Sequence, residues 1–509
     1  MPGVLASLPD HWSDPARAWP AQDQPRLPGP LGLYAALILV TAMGGALIAS
    51  AARVFGGSMG PRPEGAHWAT ARDLRTLLVR RRTPGRLTLG RLGRRLVAAE
   101  PRASTIVIGP SQSGKTTAIA IPAILEAAGP VLAVSVKRDL LDATLAARRD
   151  MGPVVVYDPT GASAITDPPP VGWDPVRGCV SWATARRMAF SLSNAHGVPP
   201  SRDGDFWRQM ATKLIAPLLF AAAHTEGGSI STVVRWLDTR EERAVLRALN
   251  RARSVEALDA FQASCEREER TKSSIYATAE AIAEPFADPG VMRSIEGPLF
   301  DSREALSGTT TLYVVAPVSD QERLAPLFSA LVEEVLDSAF ARAAAGSPCD
   351  PALLVVLDEA ANTAPIRRLP HIAATAAGLG VQMVTVFQDL AQVHTRYAQA
   401  AETVISNHRA KVFLSGIADP TTLGFLRSVL GEQDVRTESR TRDSAVRESR
   451  TASTTLRALA PPERVRGLGI NRALLLYGHL PPAAIDLAPF LGRAPGRGES
   501  RWRGDRDTH

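Results

Sequence analysis

Residues 109–116, GPSQSGKT, constrain the fold of this chain more than any other stretch. They match the pattern GxxxxGK followed by Ser or Thr at every required position. STIVIG, just before them, has the composition of a short β-strand, and TTAIAIPAILEAAG after them begins as a helix and ends at Gly129. A strand, a glycine-rich turn and a helix N-terminus in this order predict a loop whose backbone N–H groups bind phosphates.

The loop predicts ATP and Mg²⁺ as ligands. We expect the Lys115 ammonium to reach the β- and γ-phosphates and the Thr116 hydroxyl to hold Mg²⁺. The expected nucleotide-binding residues are Gly109, Pro110, Ser111, Gln112, Ser113, Gly114, Lys115, Thr116 and Thr117.

A second motif, ALLVVLDEAAN, begins at Ala352. The apolar run Leu353–Leu357 predicts a buried parallel strand, and ligands bind at the carboxyl ends of such strands. We therefore expect Asp358 to bind Mg²⁺, directly or through water, and Glu359 to polarise the attacking water. The alternative is that the two acids cap a following helix. Paired with the phosphate loop, the motif favours an ATPase.

A third apolar run, VQMVTVF, ends at Phe387 and is followed by Gln388. A polar side chain at the tip of this strand could sense the γ-phosphate, although a simple helix cap is an equal alternative. Further strands are predicted where short apolar runs alternate with helical stretches, at 131–136, 153–158, 310–317, 410–414 and 473–477. This alternation predicts an α/β fold with a mostly parallel, doubly wound sheet.

The strand signal disappears between about Asp174 and Phe300, where amphipathic helical patterns predict an inserted all-α domain. Together with an uncharged apolar stretch at 31–52, the order of predicted strands and helices divides the chain into seven parts. These are an extracytoplasmic segment at 1–30, a transmembrane helix at 31–52, a basic juxtamembrane stretch with the start of the nucleotide domain at 53–100, the first part of the ATPase domain at 101–174, the all-α domain at 175–300, the second ATPase part at 301–490, and a disordered Arg/Gly-rich tail at 491–509.

The stretch LGLYAALILVTAMGGALIASAA, residues 31–52, carries no charge. As a helix it would be about 33 Å long, close to the thickness of a hydrocarbon core. A signal peptide or a buried helix is the alternative, but no basic start precedes the run. Nine arginines between residues 72 and 95 follow it. The positive-inside rule therefore predicts a single-pass protein of the inner membrane, with the ATPase domain in the cytoplasm.

Charge gives a weaker indication of partners. The net charge is +7, but only five of the 58 basic residues are lysine, so the balance fits either a polyanion partner or GC-rich coding. The arginines at 72–95 could contact anionic lipid or DNA, or form a solvated face. Cys179, Cys265 and Cys349 are widely spaced and predict neither disulfides nor a zinc site.

Together these motifs resemble the coupling proteins of type IV secretion and conjugation, the VirD4/TraG/TraD type. Beyond the phosphate loop, the resembling segments are AHWATARDL at 66–74, SVKRDLLDATLAARRDMGPVVVYDP at 135–159, GDFWRQMATKLIAPLLFAA at 204–222 and the closing stretch at 460–482. The most specific block runs from LDEAAN to KVFLSG and includes Asp358, Glu359, Gln382 and Gln388.

The resemblance implies a RecA-like, homo-hexameric motor at the inner membrane. It further implies DNA as substrate, single-stranded DNA being favoured, and a relaxase or other secreted protein and the channel components of the secretion system as partners. In that family the all-α domain recognises substrate. Lys115, Glu359 and Gln388 would then be the catalytic residues.

This chain departs from the family pattern in three places. One membrane helix is predicted where two are usual. Lys137 and Arg138 replace an acid-rich start after the second strand. The family arginine near GLG at 378–380 is missing, so an arginine that acts on a neighbouring subunit must come from elsewhere. The candidates are Arg367, Arg368, Arg396 and Arg409.

Two polar stretches predict no packed structure. RTESRTRDSAVRESRTASTTLR, residues 436–457, predicts a loop or linker. The tail could contact nucleic acid, although a solvated tail is favoured. Two other functions stay open on the sequence alone. One is a double-stranded DNA translocase of the FtsK/HerA kind, and the other is a receptor for secreted proteins that uses nucleotide only for assembly.

Overall fold

The computed structural model describes residues 65–195, 202–315, 319–442, 448–488 and 490, with isolated positions between 13 and 43. The chain divides into two units, residues 1–64 and 65–509, and the fold below is that of the second. Most of the predicted membrane helix at 31–52 lies outside the described residues, as do most of 1–30 and all of the tail at 491–509. Within the described part of the chain, no helix is both long and apolar enough to cross a membrane.

Twelve strands form one sheet, in the order β1-β3-β2-β14-β13-β10-β4-β9-β8-β5-β7-β6, and β11 and β12 form a separate ribbon. In chain order the strands are β1 Leu78–Val79, β2 Thr88–Leu92, β3 Arg95–Ala98, β4 Thr105–Ile108, β5 Val131–Ser135, β6 Val154–Tyr157, β7 Thr311–Val315, β8 Leu353–Leu357, β9 Val381–Phe387, β10 Ala410–Leu414, β11 Glu432–Arg442, β12 Glu448–Ala458, β13 Arg472–Tyr477 and β14 Ala483–Asp486.

The sheet is mixed, whereas the sequence pattern predicts a mostly parallel one. From β10 to β6 every neighbouring pair is parallel. From β10 to β1 every pair is antiparallel, beginning with the pair of β10 and β13. The apolar run at 473–477 predicts a strand, which is β13, but it does not predict its antiparallel direction. Hydrophobic pattern marks a strand as buried but does not give its direction, which explains the difference.

Helices cover both faces of the sheet. They are α1 Ile121–Glu126, α2 Asp139–Met151, α3 Trp182–Ala195, α4 Arg202–Ala223, α5 Ile230–Asp238, α6 Arg243–Ala252, α7 Val255–Cys265, α8 Glu269–Ala283, α9 Pro289–Glu296, α10 Gln321–Ala344, α11 Leu369–Thr375, α12 Leu390–Tyr397, α13 Ala401–Asn407, α14 Pro420–Leu430 and α15 Pro462–Arg466. Along β8, Val355 belongs to one hydrophobic core and Val356 to another, because successive side chains alternate between faces.

Helices α3 to α9, here called the helical segment, lie in the chain between β6 and β7. Helix α4 is at its centre and packs against α3, α6, α7 and α8. Leu214 and Phe261 of this segment belong to the same core as Val355 of β8, and α3 packs against α10. The helical segment and one face of the sheet are therefore a continuous packed body.

The ribbon of β11 and β12 corrects the prediction of a loop or linker over 436–457. Its two strands pair antiparallel from Glu432 opposite Ala458 to Arg442 opposite Glu448. At its base, Ala66 N–H donates to the Glu432 carbonyl at 2.9 Å. The two strands are joined by backbone hydrogen bonds, which do not require an apolar side-chain pattern. The sequence of this ribbon therefore lacks the apolar pattern that was used to predict the other strands.

Candidate functional site

The loop after β4 is built around two glycines. A Cβ on Gly109 would lie 2.7 Å from Ser113 Oγ and 3.0 Å from Leu414 Cβ, so a larger residue would force these neighbours to shift. Gly114 has a φ of +87°, which L side chains rarely adopt. After Lys115 the chain enters one π-helical turn, Thr116–Ala120, and continues as α1. The loop and the helix N-terminus therefore have the arrangement that binds phosphate.

Lys115 lies under this loop and is nearly buried. Its Nζ donates to the carbonyl oxygens of Gly109 at 2.6 Å and Pro110 at 2.7 Å. Burial lowers the pKa of the ammonium, while the charges of Asp358 and Glu359 oppose that shift. Because both hydrogen-bond acceptors are neutral carbonyls, they do not neutralise the ammonium, and its positive charge can attract an anion at the loop.

Asp358 follows β8 and meets the loop from the neighbouring part of the sheet. The Thr116 hydroxyl donates to the two oxygens of its carboxylate at 3.2 and 3.4 Å. Ser135, the last residue of β5, also donates to it from Oγ, at 3.4 Å. Burial and, after it, the charge of the nearby Asp139 raise the pKa of Asp358 to about 6, against the hydrogen bond from Thr116.

These oxygens fit a magnesium ion. Mg²⁺ takes oxygen ligands, keeps several waters and is usually held by one or two protein groups with substrate phosphates. Thr116 and Asp358 supply such a pair, and the raised pKa of the Asp358 carboxyl marks a buried anion short of positive charge. Elsewhere, no group of three or more His, Cys, Asp or Glu in the described residues is arranged to hold a metal.

Glu359 is half-buried and has a φ of +63°. The first helix after β8 begins at Leu369, with Arg368 at its N-cap, so Asp358 and Glu359 do not cap a helix. A non-glycine residue in this conformation is uncommon and is often found at functional sites. The backbone therefore sets Glu359 at the carboxyl edge of β8 beside Asp358.

Gln388 follows β9 at the same edge. The Gly109 N–H donates to the Phe387 carbonyl at 3.2 Å, which brings the end of β9 against the start of the phosphate loop. The cap of α12 is Asp389, whose carboxylate accepts from the Gln392 N–H at 2.7 Å. The capping role considered for Gln388 thus belongs to its neighbour. Gln382 lies at the opposite end of β9, where its Nε2 donates to the Ala103 carbonyl at 3.3 Å.

The four candidate arginines have partners in this chain. Arg368 pairs with Asp337 at 2.8 Å, and Arg396 donates to the Pro365 carbonyl at 3.1 Å. Arg409 precedes β10 at the amino edge and pairs with Glu100. Arg367 donates to Asn194 of α3 at 2.9 Å. The structure brings none of them into contact with Asp358 or Lys115 of the same subunit.

Sequence reasoning missed two residues of this edge, Ser135 and Asp139. Ser135 ends the apolar run of β5, so a polar residue at a strand tip was a usable signal. Asp139 begins α2 and acts on Asp358 through its charge alone. Lys137 and Arg138, which follow the same strand, are exposed.

The fold and the phosphate loop together are those of the P-loop class, which has a nucleotide-binding ATPase fold. The profile of the family described as type IV secretory system conjugative DNA transfer matches residues 73–489. The chain belongs to this family, which confirms the resemblance drawn from the motifs.

Named relatives agree with this membership. The VirD4 proteins of Rhizobium rhizogenes and Agrobacterium fabrum are each 23% identical over 396 residues, which is 75% of this chain. The conjugal transfer protein TraG of Agrobacterium fabrum is 21% identical over 407 residues, or 76% of the chain. The aligned regions span 57%, 58% and 60% of the length of these relatives.

Solved structures show the same fold. The bacterial conjugative coupling protein TrwBdeltaN70 superposes with a TM-score of 0.63 at 18% identity, covering 85% of this chain and 95% of that one. TrwB in complex with the ATP analogue ADPNP superposes with a TM-score of 0.62 at 17% identity, covering 87% and 98%. TrwB with ADP and Mg²⁺ superposes with a TM-score of 0.59 at 16% identity, covering 84% and 95%.

Proposed function

We propose that this protein is a membrane-anchored ATPase that couples ATP hydrolysis to the transfer of DNA, or of a protein joined to DNA, through a type IV secretion channel. It acts as a homo-hexamer at the inner membrane and favours single-stranded DNA. Its partners are a relaxase or another secreted protein and the components of the channel. Family membership and the nucleotides bound by TrwB support this proposal.

One observation carries the proposal: the Thr116 hydroxyl and the Asp358 carboxylate, 242 residues apart in sequence, meet at 3.2 Å beside the phosphate loop. Residues 109–117 bind the phosphates, and Lys115 neutralises their charge. Thr116 and Asp358 hold Mg²⁺, which on binding offsets charge on the phosphates. Glu359 polarises the attacking water and Gln388 senses the γ-phosphate.

Different parts of the sequence have different roles in this proposal. Residues 101–174 and 301–490 form the nucleotide domain, and residues 175–300 recognise the substrate. The continuous core between the helical segment and one sheet face supports this division, because a rigid connection can pass movement at the nucleotide to the helices. The segment at 31–52 provides the membrane anchor.

The test is ATP hydrolysis by the full-length chain, purified in detergent. We expect Lys115→Ala to lower turnover about 100- to 1,000-fold, because it removes the cation that neutralises the phosphates. Lys272→Ala, which alters a lysine paired with Glu242 in the helical segment, is the matched control and should leave turnover unchanged. Turnover retained in Lys115→Ala would refute the assignment of hydrolysis to this phosphate loop.

DNA stimulation tests the substrate and separates the alternatives. Hydrolysis is measured with single- and double-stranded DNA at one salt concentration, because DNA binding by basic proteins depends on salt. We expect greater stimulation by single strands, and loss of stimulation in Glu359→Gln. Greater stimulation by duplex would indicate a translocase of the FtsK/HerA kind. Nucleotide binding without a DNA response would indicate a receptor for secreted proteins.

A further inference from the structure

The helical segment contains a cavity of about 560 Å³ that the nucleotide chemistry does not use. It opens between α3, α4 and α7, and α10 and the residue before α11 close one side. Its volume is in the range of pockets that bind small ligands or one anchoring segment of a larger one. Its lining chemistry therefore indicates what it binds.

The charge around this cavity is one-sided. Besides Arg368, four cations line it: Arg186, Arg187, Lys213 and Arg267. All four are exposed, and none pairs with an acid in the part of the chain that the structure describes. Among the described residues, Asp337 is the one acid of the lining, and Arg368 already pairs with it at 2.8 Å. The cavity therefore presents four cations without an ion-pair partner in the described part of the chain.

The cavity also has an apolar surface. Ala216, Ala260 and Ala263 contribute small side chains to its wall. Phe190 stands at the edge with 48% of its surface exposed, which is unusual for a phenylalanine on a packed helix. Trp182 is fixed, because its ring meets Phe220 edge to face at 6.1 Å. An apolar group that enters between Phe190 and the alanines would bury this exposed ring.

This combination favours a peptide over single-stranded nucleic acid. Proteins that bind single strands present several aromatic faces along a groove, on which successive bases stack. Here the described residues contribute two aromatic side chains to the lining, Phe190 and Trp182, and the Trp182 ring is already packed against Phe220. Arginines bind carboxylates through paired hydrogen bonds, and a small apolar wall suits one aliphatic or aromatic side chain.

We propose that this cavity binds an acidic peptide segment of a transported protein. One apolar side chain of the peptide lies between Phe190 and the alanines, and flanking carboxylates pair with Arg186, Arg187, Lys213 and Arg267. The transported nature of the partner rests on the proposed function, whereas the binding site and its ligand chemistry do not require hydrolysis.

Fluorescence anisotropy with the full-length chain tests the site. The probe is a labelled peptide in which glutamates flank one leucine and one phenylalanine, and a lysine-flanked peptide is the charge control. We expect binding of the acidic probe alone. The double variant Arg186→Glu/Lys213→Glu should weaken it about tenfold or more, since close charge pairs at interfaces contribute at least that much. Phe190→Ala and the cavity-filling Ala263→Trp should also weaken it.

Arg247→Glu is the matched control, because it reverses an exposed charge on α6 away from the cavity. Equal affinity of the acidic probe for all these variants would overturn the proposal. An oligothymidylate that binds more tightly than the peptide, and loses affinity in the same variants, would also overturn it by assigning the cavity to nucleic acid. Turnover in the same samples separates the two proposals: peptide binding without hydrolysis refutes the ATPase alone.

Discussion

Buried charged side chains lie at both edges of the parallel strands, but they differ in how completely their hydrogen-bonding groups are paired. At the amino edge, the Arg148 side chain is wholly buried. Its guanidinium donates to Thr311 Oγ1 and to the carbonyls of Ala127, Gly129 and Thr309, at 2.6 to 3.1 Å. Neutral oxygen atoms thus accept the hydrogen bonds of the Arg148 guanidinium, which pairs with no acid among the described residues.

At the carboxyl edge the corresponding groups are satisfied only in part. Burial lowers the pKa of Lys115, as it also lowers that of Arg148, and burial together with the charge of Asp139 raises the pKa of Asp358 to about 6. The Thr116 hydroxyl is a long hydrogen-bond partner for Asp358. A buried group with all its partners present stabilises the fold, whereas one with a partner missing has capacity for a ligand.

The largest effect is expected for Arg148→Ala. This change removes the donors of three backbone carbonyls and leaves a cavity, so we expect the free energy of unfolding to fall by about 3 to 5 kcal/mol. Arg149→Ala is the control, because Arg149 is exposed and pairs with the exposed Asp167, so its effect on stability should be small. Denaturant unfolding measures both, and equal effects would show that Arg148 is not the structural group described.

Asp358→Asn should act in the opposite direction. The pKa of the Asp358 carboxyl is about 6 in the folded chain and 3.8 ordinarily, so the folded state binds the proton more tightly. The stability of the wild type therefore falls as pH rises from about 4 to 6. The asparagine variant has no such loss and should be more stable at pH 7 by about 1 to 3 kcal/mol, although inactive.

The measurement is denaturant unfolding without Mg²⁺ or nucleotide at pH 4 and pH 7. We expect the two proteins to differ at pH 7 and to converge near pH 4. Asp142→Asn, at an exposed carboxylate of α2 that pairs with Arg138, is the control and should change stability little in both measurements. A less stable Asp358→Asn at pH 7 would mean that the carboxylate is already well compensated in the free chain.

The same contrast explains what the sequence could and could not predict. Strands β8, β9 and β10 match their predicted runs residue for residue, because a strand that is covered on both faces is mostly apolar. The ribbon of β11 and β12 and the short strands β1 to β3 gave no such run. Their pairing depends on backbone hydrogen bonds and on partners distant in sequence, which composition does not encode.

The site follows the same rule. The spacing of Lys115 and Thr116 in the loop, and of Asp358 after an apolar run, predicted groups that the structure brings together. Ser135 was missed because a serine at a strand end has many structural uses, and only its distance to Asp358 distinguishes it. Arg148 was missed because a helix pattern does not show which arginine points inward.

Gln388→Ala tests whether the carboxyl edge works as a unit. We expect hydrolysis to fall about tenfold, since a polar group that contacts only the γ-phosphate contributes one hydrogen bond to the transition state. Gln392→Ala is the control, because the Gln392 side chain accepts from the Gln388 N–H at 3.0 Å and belongs to the following helix. Equal losses in the two variants would indicate that Gln388 matters through the local turn and not through the nucleotide.

Gln382→Met should have the smallest effect and separates the two ends of the same strand. Gln382 and Gln388 both fall in the block that resembles the family, but Gln382 is at the amino edge and buried, with Nε2 donating to the Ala103 carbonyl. Methionine keeps the volume and loses this donor, so stability should fall by about 1 kcal/mol while turnover per folded molecule is unchanged. Thermal unfolding and hydrolysis on one sample measure both. A tenfold loss of turnover with unchanged stability would mean that Gln382 takes part in hydrolysis. The amino edge would then not be purely structural.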